Sequence, residues 1–564
     1  MQDISKHNQD GAIADLKDEI IHLKADNAEL KVANIELTKQ NHSFSRLILD
    51  LQETVKELKD EINRLKGQKS RPKFPAANLD KGKKDGGNSN AKQKTPIVPI
   101  TGVKKIKHEE IVITPPNIPE GSRFKGYSDF HVEELCIEAL KIKYRLAVYE
   151  TPSGDILRGR LPFNLNGKHF GPELIAYCLD QYHGRCVTRP QLLEQLLGYG
   201  VEISAGELDN ILIVDKDIFH EEKAAIFEAG IAHSDQLNTD DTGARHNGKN
   251  GVCTHIGSPL FCYFESTFSK SRINFLEILS ERHTDYILSE DALLYAFDQG
   301  ATVRLQTILD DHVDKRFTDK DAWNRFLNRK GITKEKDQRI ATEAALMGSA
   351  IFHGLKPTMG IMSDAAGQFN ILIHSLCWIH EERHYRKFVA LTEDEKILID
   401  GIRDAIWNLY EDLKEYKVKP TQELRERIEE EFDGLFACKT ESNAINNLLE
   451  NTLSRRVGLL RVLDYPWFML HNNDSERDIR EYVKKQKISG STRSQLGRKA
   501  RDTFASLKKT CKKLGVCFWD YLRDRTGKLG QIKPLADLIA EKAMADPGLN
   551  PLPFSKPMAQ AINF

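Results

Sequence analysis

The chain has 564 residues, with 82 Lys and Arg against 83 Asp and Glu, for a formal net charge of −1. Length alone implies several domains of about 100–200 residues, and the charge balance excludes a global field that would draw nucleic acid, so such a partner must be met by local basic patches. Nine cysteines without a Cys-x-x-Cys pair argue against a zinc ribbon or a disulfide framework, and the absence of any long apolar run argues against a membrane span.

From Ile13 to Leu65 a seven-residue repeat is unbroken, with Leu16, Leu23, Leu30, Leu37, Phe44, Leu51, Leu58 and Leu65 at d. The a positions hold Ile13, Ile20, Ile48, Val55 and Ile62, interrupted by Asn27, Asn34 and Asn41. β-Branched residues at a with Leu at d favour two parallel strands, and Asn at a fixes register. Residues 1–66 are therefore expected to form a parallel dimeric coiled coil, a rod about 80 Å long at 1.5 Å per residue. Residues 67–120 scatter lysines such as Lys81, Lys83, Lys84, Lys92 and Lys94 among Pro, Gly, Ser and Asn. Such a segment cannot bury enough apolar surface to fold and reads as a basic flexible linker able to touch phosphates.

Strand character follows around Tyr144–Leu161, and Gly171–Leu212 reads as three short helices within a region spanning 121–232. Thr188-Arg-Pro-Gln191 and Ser204-Ala-Gly-Glu207 carry capping-box spacing, and Gly198 and Gly200 supply a turn. That pattern resembles a helix-turn-helix, although the Ser204 helix is poor in base-reading Arg and Lys. Residues 233–500 alternate differently. Val252–Ile256 and Leu260–Glu265 read as a hairpin through Gly257-Ser-Pro259; Thr358–Ser363 reads as a strand running into Asp364, followed by a helix through Cys377, Trp378 and His380. Segments 285–352 and 392–460 read as helical, as does the C-terminal region 501–564. The chain as a whole is expected to be soluble and cytoplasmic, with a nucleoid-associated role.

Three acidic residues stand in distinctive contexts: Asp240 in Leu237-Asn-Thr-Asp-Asp-Thr-Gly243, Asp364 in Gly360-Ile-Met-Ser-Asp-Ala-Ala-Gly367, and Glu476 in Asn472-Asn-Asp-Ser-Glu-Arg-Asp-Ile-Arg480. A carboxylate at the end of a strand, beside another on a neighbouring strand and completed by a helix-borne Glu, forms a cluster that needs divalent cations to neutralise it. Two such ions would suit in-line displacement at a phosphodiester. Arg480 and Lys484 follow Glu476 at four-residue steps on one helix face, and Lys485, Lys487, Arg493 and Arg498 extend a basic patch suited to a DNA backbone. Asp241 competes with Asp240 for the first position, since adjacent strand residues point to opposite faces. Cys377 with His380 and His384 is a second metal possibility that lacks a fourth ligand.

At these residues the chain resembles transposases of the insertion-sequence-sixty-six family over nearly its whole length. The matching blocks are Glu61-Ile-Asn-Arg-Leu-Lys-Gly-Gln68, Arg123-Phe-Lys-Gly-Tyr127, His169-Phe-Gly-Pro-Glu173, Thr239-Asp-Asp-Thr-Gly-Ala-Arg245, Ser363-Asp-Ala-Ala-Gly-Gln-Phe369, Leu376-Cys-Trp-Ile-His380, Ser475-Glu-Arg-Asp-Ile-Arg480, Ser489-Gly-Ser-Thr-Arg493 and Phe518-Trp-Asp-Tyr-Leu522. The resemblance implies an α/β RNase H-like catalytic core, with the helical segments 285–352 and 392–460 as insertions. It also implies an Asp-Asp-Glu triad at Asp240, Asp364 and Glu476 holding Mg²⁺, for which Mn²⁺ could substitute. The implied activity is DNA transposition: binding of insertion-sequence ends, strand cleavage and strand transfer, with transposon ends and target DNA as partners, a homodimer through residues 13–65, and small accessory proteins. Two departures stand out. No cysteine-rich segment lies between coil and core, and the residues before the Glu read His471-Asn-Asn. The competing functional classes are a non-cutting DNA-binding or regulatory protein derived from a transposase, and a structural coiled-coil scaffold.

Overall fold

A computed structural model describes residues 111–546 except 116, 126, 128–136, 163, 164, 166–168 and 282. The expected coil and most of the basic linker lie outside the described residues. The first elements are a small exposed antiparallel hairpin, β1 (Val148–Glu150) and β2 (Ile156–Arg158). Four helices follow: α1 (Pro172–Leu179), continued by a π turn, then α2 (Arg189–Gly198), α3 (Ala205–Ile213) and α4 (Asp217–Ala232). The three short helices expected over Gly171–Leu212 are α1 to α3. The Ser204 hydroxyl accepts from Glu207 N–H at 3.2 Å while the Glu207 carboxylate accepts from Ser204 N–H at 2.8 Å, a reciprocal cap that satisfies two otherwise orphaned donors.

A five-stranded mixed sheet carries the rest: β3 (Gln236–His246), β4 (Lys249–Gly257), β5 (Cys262–Thr267), β8 (Gly360–Ser363) and β9 (Ile373–Leu376), in the order β5-β4-β3-β8-β9. The three N-terminal strands are antiparallel neighbours, whereas β8 and β9 run parallel to β3. Asn247 and Gly248, with φ of +46° and +76°, make the two-residue turn between β3 and β4; both torsions suit a hairpin whose twist matches the strands. The hairpin expected at Val252–Glu265 is thus the second arm of a longer meander. The strand expected under Asp240 and Asp241 is β3, whose bounds the sequence left open because Asn238 to Thr242 is polar throughout and hides the alternation.

One sheet face, with Leu237, Ile256 and Tyr263, shares a core with Phe227 of α4, Phe275 of α5 (Arg272–Ser280) and helices further on. These are α6 (Glu290–Asp298), α7 (Val303–Asp310), α8 (Lys320–Arg329) and α9 (Glu335–Phe352), with a two-residue strand pair, β6 (Tyr286–Ile287) and β7 (Arg316–Phe317), among them. A separate core lies under α10 (Trp378–Arg386), α11 (Glu393–Val418), α12 (Gln422–Phe436), α13 (Asn443–Ser454) and the short turns α14 (Arg456–Leu459) and α15 (Arg461–Asp464). Both segments expected to be helical are therefore so. One expectation is corrected: the helix at Trp378 does not follow Asp364 directly, because a 3₁₀ turn (Gly367–Phe369) and strand β9 intervene. The four residues of β9 are too few for a periodic signal to stand out.

The other face of β4 and β5, with Cys253, Cys262 and Phe264, meets Ile479 and Tyr482 of α16 (Asn473–Ser489). The chain closes with α17 (Gln495–Leu514), α18 (Phe518–Gly527) and α19 (Leu535–Ala545). Helix α17 seals the sheet edge. The backbone N–H groups of Cys262, Phe264 and Ser266 donate to Thr510 Oγ1, Ser506 Oγ and Asp502 Oδ2 at 3.1, 2.9 and 2.9 Å. Four helical residues rise about 6 Å and two strand residues about 6.8 Å, so a polar stripe at every fourth helix position keeps step with alternate strand donors. The pairing removes an exposed edge that would otherwise invite another chain.

Candidate active site

Asp240 lies in β3 and Asp364 immediately follows β8. The parallel register pairs Asn238 with Met362. Continuing it by two residues sets Asp240 opposite Asp364, on the same side of their chains. Across the antiparallel register Asp240 faces His255 and Asp241 faces Thr254. His255 points toward α16, where Ser475 Oγ lies 2.6 Å from its Nδ1; Asp240 therefore points toward the helix that carries Glu476. Burial first, then the negative charges of Asp364, Asp241 and Glu476, push the Asp240 carboxyl up to about 7, against an opposing hydrogen bond from Asp241 N–H. Asp241 turns the other way, and its two oxygens accept from Thr254 Oγ1 at 2.6 Å and Gln368 Nε2 at 2.7 Å, with Lys270 at 3.8 Å. Asp364 Oδ1 accepts from Ala366 N–H at 3.0 Å, which shapes the turn after β8.

Glu476 sits in the first turn of α16. Its Oε2 pairs with Arg480 at 3.1 Å, and its Oε1 faces Arg383 of α10 at 2.7 Å and His380 Nε2 at 3.5 Å. Burial, reinforced by Arg383, holds His380 below the ordinary imidazole range. The start of α16 is clamped to both strand systems. Asn472 donates from its side chain to Thr239 O at 2.8 Å and from its backbone to Cys377 Sγ at 3.2 Å. Three residues further into the helix than Ser475, the buried Asp478 carboxylate lies 3.4 Å from His255 Nε2, 3.3 Å from Lys509 and 3.0 Å from Lys513. Glu476 is thus flanked by two inward-facing residues that grip β4 and α17.

A family model described as "Transposase IS66 family" matches residues 348–500. Over 321 residues the chain is 40% identical to an uncharacterized protein, y4jO, of Sinorhizobium fredii, covering 56% of this chain and 100% of the relative. No solved structure matches. The chain belongs to the IS66 transposase family. The family is one of DNA-processing enzymes, and its matched segment contains Asp364 and Glu476 but begins after Asp240.

In this member of the family the residues expected to meet DNA divide in two. Arg480, Lys484, Lys487 and Arg493 are exposed, and Arg498 is half-buried with its guanidinium 4.9 Å from the ring centre of Phe268. Lys485 is not on that outer face. It is 7% exposed, donates to Tyr182 O at 2.5 Å and lies 3.5 Å from the Tyr182 ring centre. Each helix residue turns about 100°, so Lys485 falls on the inner stripe of Ser475, Asp478 and Tyr482 rather than on that of Glu476, Arg480 and Lys484.

Cys377, His380 and His384 do not converge: Cys377 is buried against Asn472, His380 faces Glu476 and His384 is exposed. Two other groups bring one potential ligand atom each within 4.8 Å, His255 with Cys262 and Asp478, and His283 with Asp285 and His353. In the first, Asp478 is already neutralised by Lys509 and Lys513. In the second, Arg316 pairs with Asp285 at 2.7 Å, and the His283 and His353 rings stack at 3.4 Å with planes 2° apart, so their in-plane lone pairs run side by side instead of meeting at one ion. His380 and Arg383 are the site neighbours that sequence reasoning did not assign to the triad. The Cys-Trp-Ile-His block drew attention to the first; nothing local marked the second.

Among the described residues no helix is long and apolar enough to cross a membrane.

Proposed function

We propose that the protein is a DNA transposase that binds insertion-sequence ends and performs metal-dependent strand cleavage and strand transfer, with Asp240, Asp364 and Glu476 as the acidic triad. The observation that carries this reading is the register that sets Asp240 and Asp364 level on adjacent parallel strands, with the charge of Glu476 felt at the same place. The sheet order, three antiparallel strands followed by two parallel ones, supports an RNase H-like core. Half-buried carboxylates that repel one another fit hard divalent cations such as Mg²⁺ or Mn²⁺. When bound, such ions would activate the attacking oxygen and stabilise the leaving oxygen.

The remaining roles belong to the chain itself. Asp241, fixed by Thr254 and Gln368, holds β3 against β4 and the turn after β8. His255 and Asn472 hold the start of α16 so that Glu476 stays over the strand ends. Arg480, Lys484, Lys487 and Arg493 offer exposed cations that would fix a DNA backbone along the same helix and its following loop. The helices of 121–232 and the basic linker would grip the transposon end. The heptads of residues 13–65 would join two copies, which suits a reaction that must hold two DNA ends together.

One observation favours the second reading, a non-cutting DNA-binding protein: Glu476 is engaged by both Arg383 and Arg480. Incubating a labelled duplex carrying the element's own terminal repeat with Mg²⁺ or Mn²⁺ separates the two. The transposase reading expects nicking at the repeat boundary by the wild type. It expects Asp364→Asn to bind equally but to cut at least about a hundredfold more slowly, as the loss of some 3 kcal/mol of charge stabilisation requires. Equal binding with no cutting by either protein would favour the binding-protein reading.

A further inference from the structure

Buried cations are normally matched by carboxylates, because an isolated charge away from water is costly. Among the described residues, two stand out against that rule. Lys485 of α16 and Arg501 of α17 are each 7% exposed. Lys485 reaches only the carbonyl and ring of Tyr182, and Arg501 donates to Gly490 O at 2.9 Å. Among the described residues neither has a carboxylate within ion-pair distance. Burial and then the nearby Arg501 and Lys508 hold the Lys485 ammonium down to about 7, with only the Cys186 thiol opposing them.

Both side chains line a groove of about 760 Å³ between the start of α2 and the Ser489–Ser494 loop that joins α16 to α17. The loop is fixed at the sheet's end, where Thr492 Oγ1 lies 2.8 Å from His246 Nδ1 and Asn247 N–H donates to Thr492 O at 2.8 Å. The acid on the groove wall, Asp209, is taken by Arg189 at 2.5 Å. Arg493 stands exposed on the loop. The groove therefore carries uncompensated positive charge from Arg501 and Arg493, to which Lys485 adds when an anion beside it favours the charged form, in a space much larger than a single small anion. Lys485 lies about 14 Å beyond Glu476 along α16 at 1.5 Å per residue and, after nine steps of about 100°, on the other side of that helix.

We propose that this groove is a phosphodiester subsite, in which Lys485 and Arg501 supply the buried counter-charge to a DNA strand that passes the side of α16 away from Glu476. The subsite rests on the transposase reading above but stands or falls separately from it. A structural role for Lys485 and a ligand role make opposite forecasts for Lys485→Met, which keeps the stem and removes the charge.

The test is fluorescence-anisotropy binding of the full chain to a fluorescein-labelled duplex of random sequence over a salt series, with Lys417→Met as the control. Lys417 is another partly buried lysine, held by Phe468 O, in the separate helical core. The proposal expects Lys485→Met to melt no lower than the wild type, to bind roughly three- to tenfold more weakly, and to flatten the log–log salt slope by about one unit, with Lys417→Met unchanged. Wild-type affinity and slope in Lys485→Met would overturn the subsite while leaving the transposase reading intact. Absence of any DNA binding by the wild type would overturn both. Should Lys485→Met fail to fold, Arg501→Met, which removes the other buried cation of the groove, carries the test, and an unchanged salt slope there would overturn the proposal.

Discussion

Asp240 and Asp241 are adjacent carboxylates with different surroundings. The first faces α16 and feels Asp364 and Glu476, whereas the second has both oxygens occupied by Thr254 and Gln368. If Asp240 is the ligand, Asp240→Asn should reduce DNA cleavage by at least about a hundredfold. Asp241→Asn, which keeps one acceptor oxygen, should retain most cleavage and lose mainly thermal stability; paired cleavage rates and melting curves would show it, and the reverse ranking would exchange their roles. The sequence carried Asp364 in a form that could be read, because an apolar strand runs directly into it. It left Asp240 against Asp241 open, because face depends on register with β4 and β8, both distant in the chain. It also hid the inward turn of Lys485, although the stripe of Ser475, Asp478 and Tyr482 at helical spacing already pointed there.

Helix α16 joins position to function, since Glu476 is only as well placed as the helix that carries it. The buried line from Ser475 through His255 to Asp478, with Lys509 and Lys513 behind it, fixes that helix to β4 and α17. His255→Ala should lower cleavage by about ten- to a hundredfold, the usual cost of losing a residue that orients a ligand, while leaving duplex affinity within twofold of wild type. A parallel loss of affinity and cleavage would mean that the clamp supports the fold in general. At the opposite end of the sheet, Ser506→Ala would leave the buried Phe264 N–H without its acceptor, at a cost of about 1–3 kcal/mol measurable by urea unfolding. The capping-box helices were legible because their signals are local. The match between α17 and the β5 edge was not, since its polar stripe reads on its own as an ordinary exposed face.

For the whole molecule, the described residues present a mixed sheet with both faces covered by helices, with Asp240 within β3 and Asp364 just beyond the end of the parallel neighbour β8. Two such sites must act together if two DNA ends are to be joined, and the heptads of residues 13–65 are the proposed link. Removal of residues 1–66 should convert a dimer into a monomer in sedimentation equilibrium while single-end nicking persists; a dimer of unchanged strength would place the subunit contact elsewhere. The central claim is that Asp240, Asp364 and Glu476 hold divalent metal at one DNA site. Titration of Mn²⁺ followed by electron paramagnetic resonance, on duplex-bound protein, tests it most directly. The account predicts tight Mn²⁺ uptake by the wild type that weakens by tenfold or more in each of Asp240→Asn, Asp364→Asn and Glu476→Gln with the duplex still bound. Identical Mn²⁺ uptake in all four proteins would contradict it.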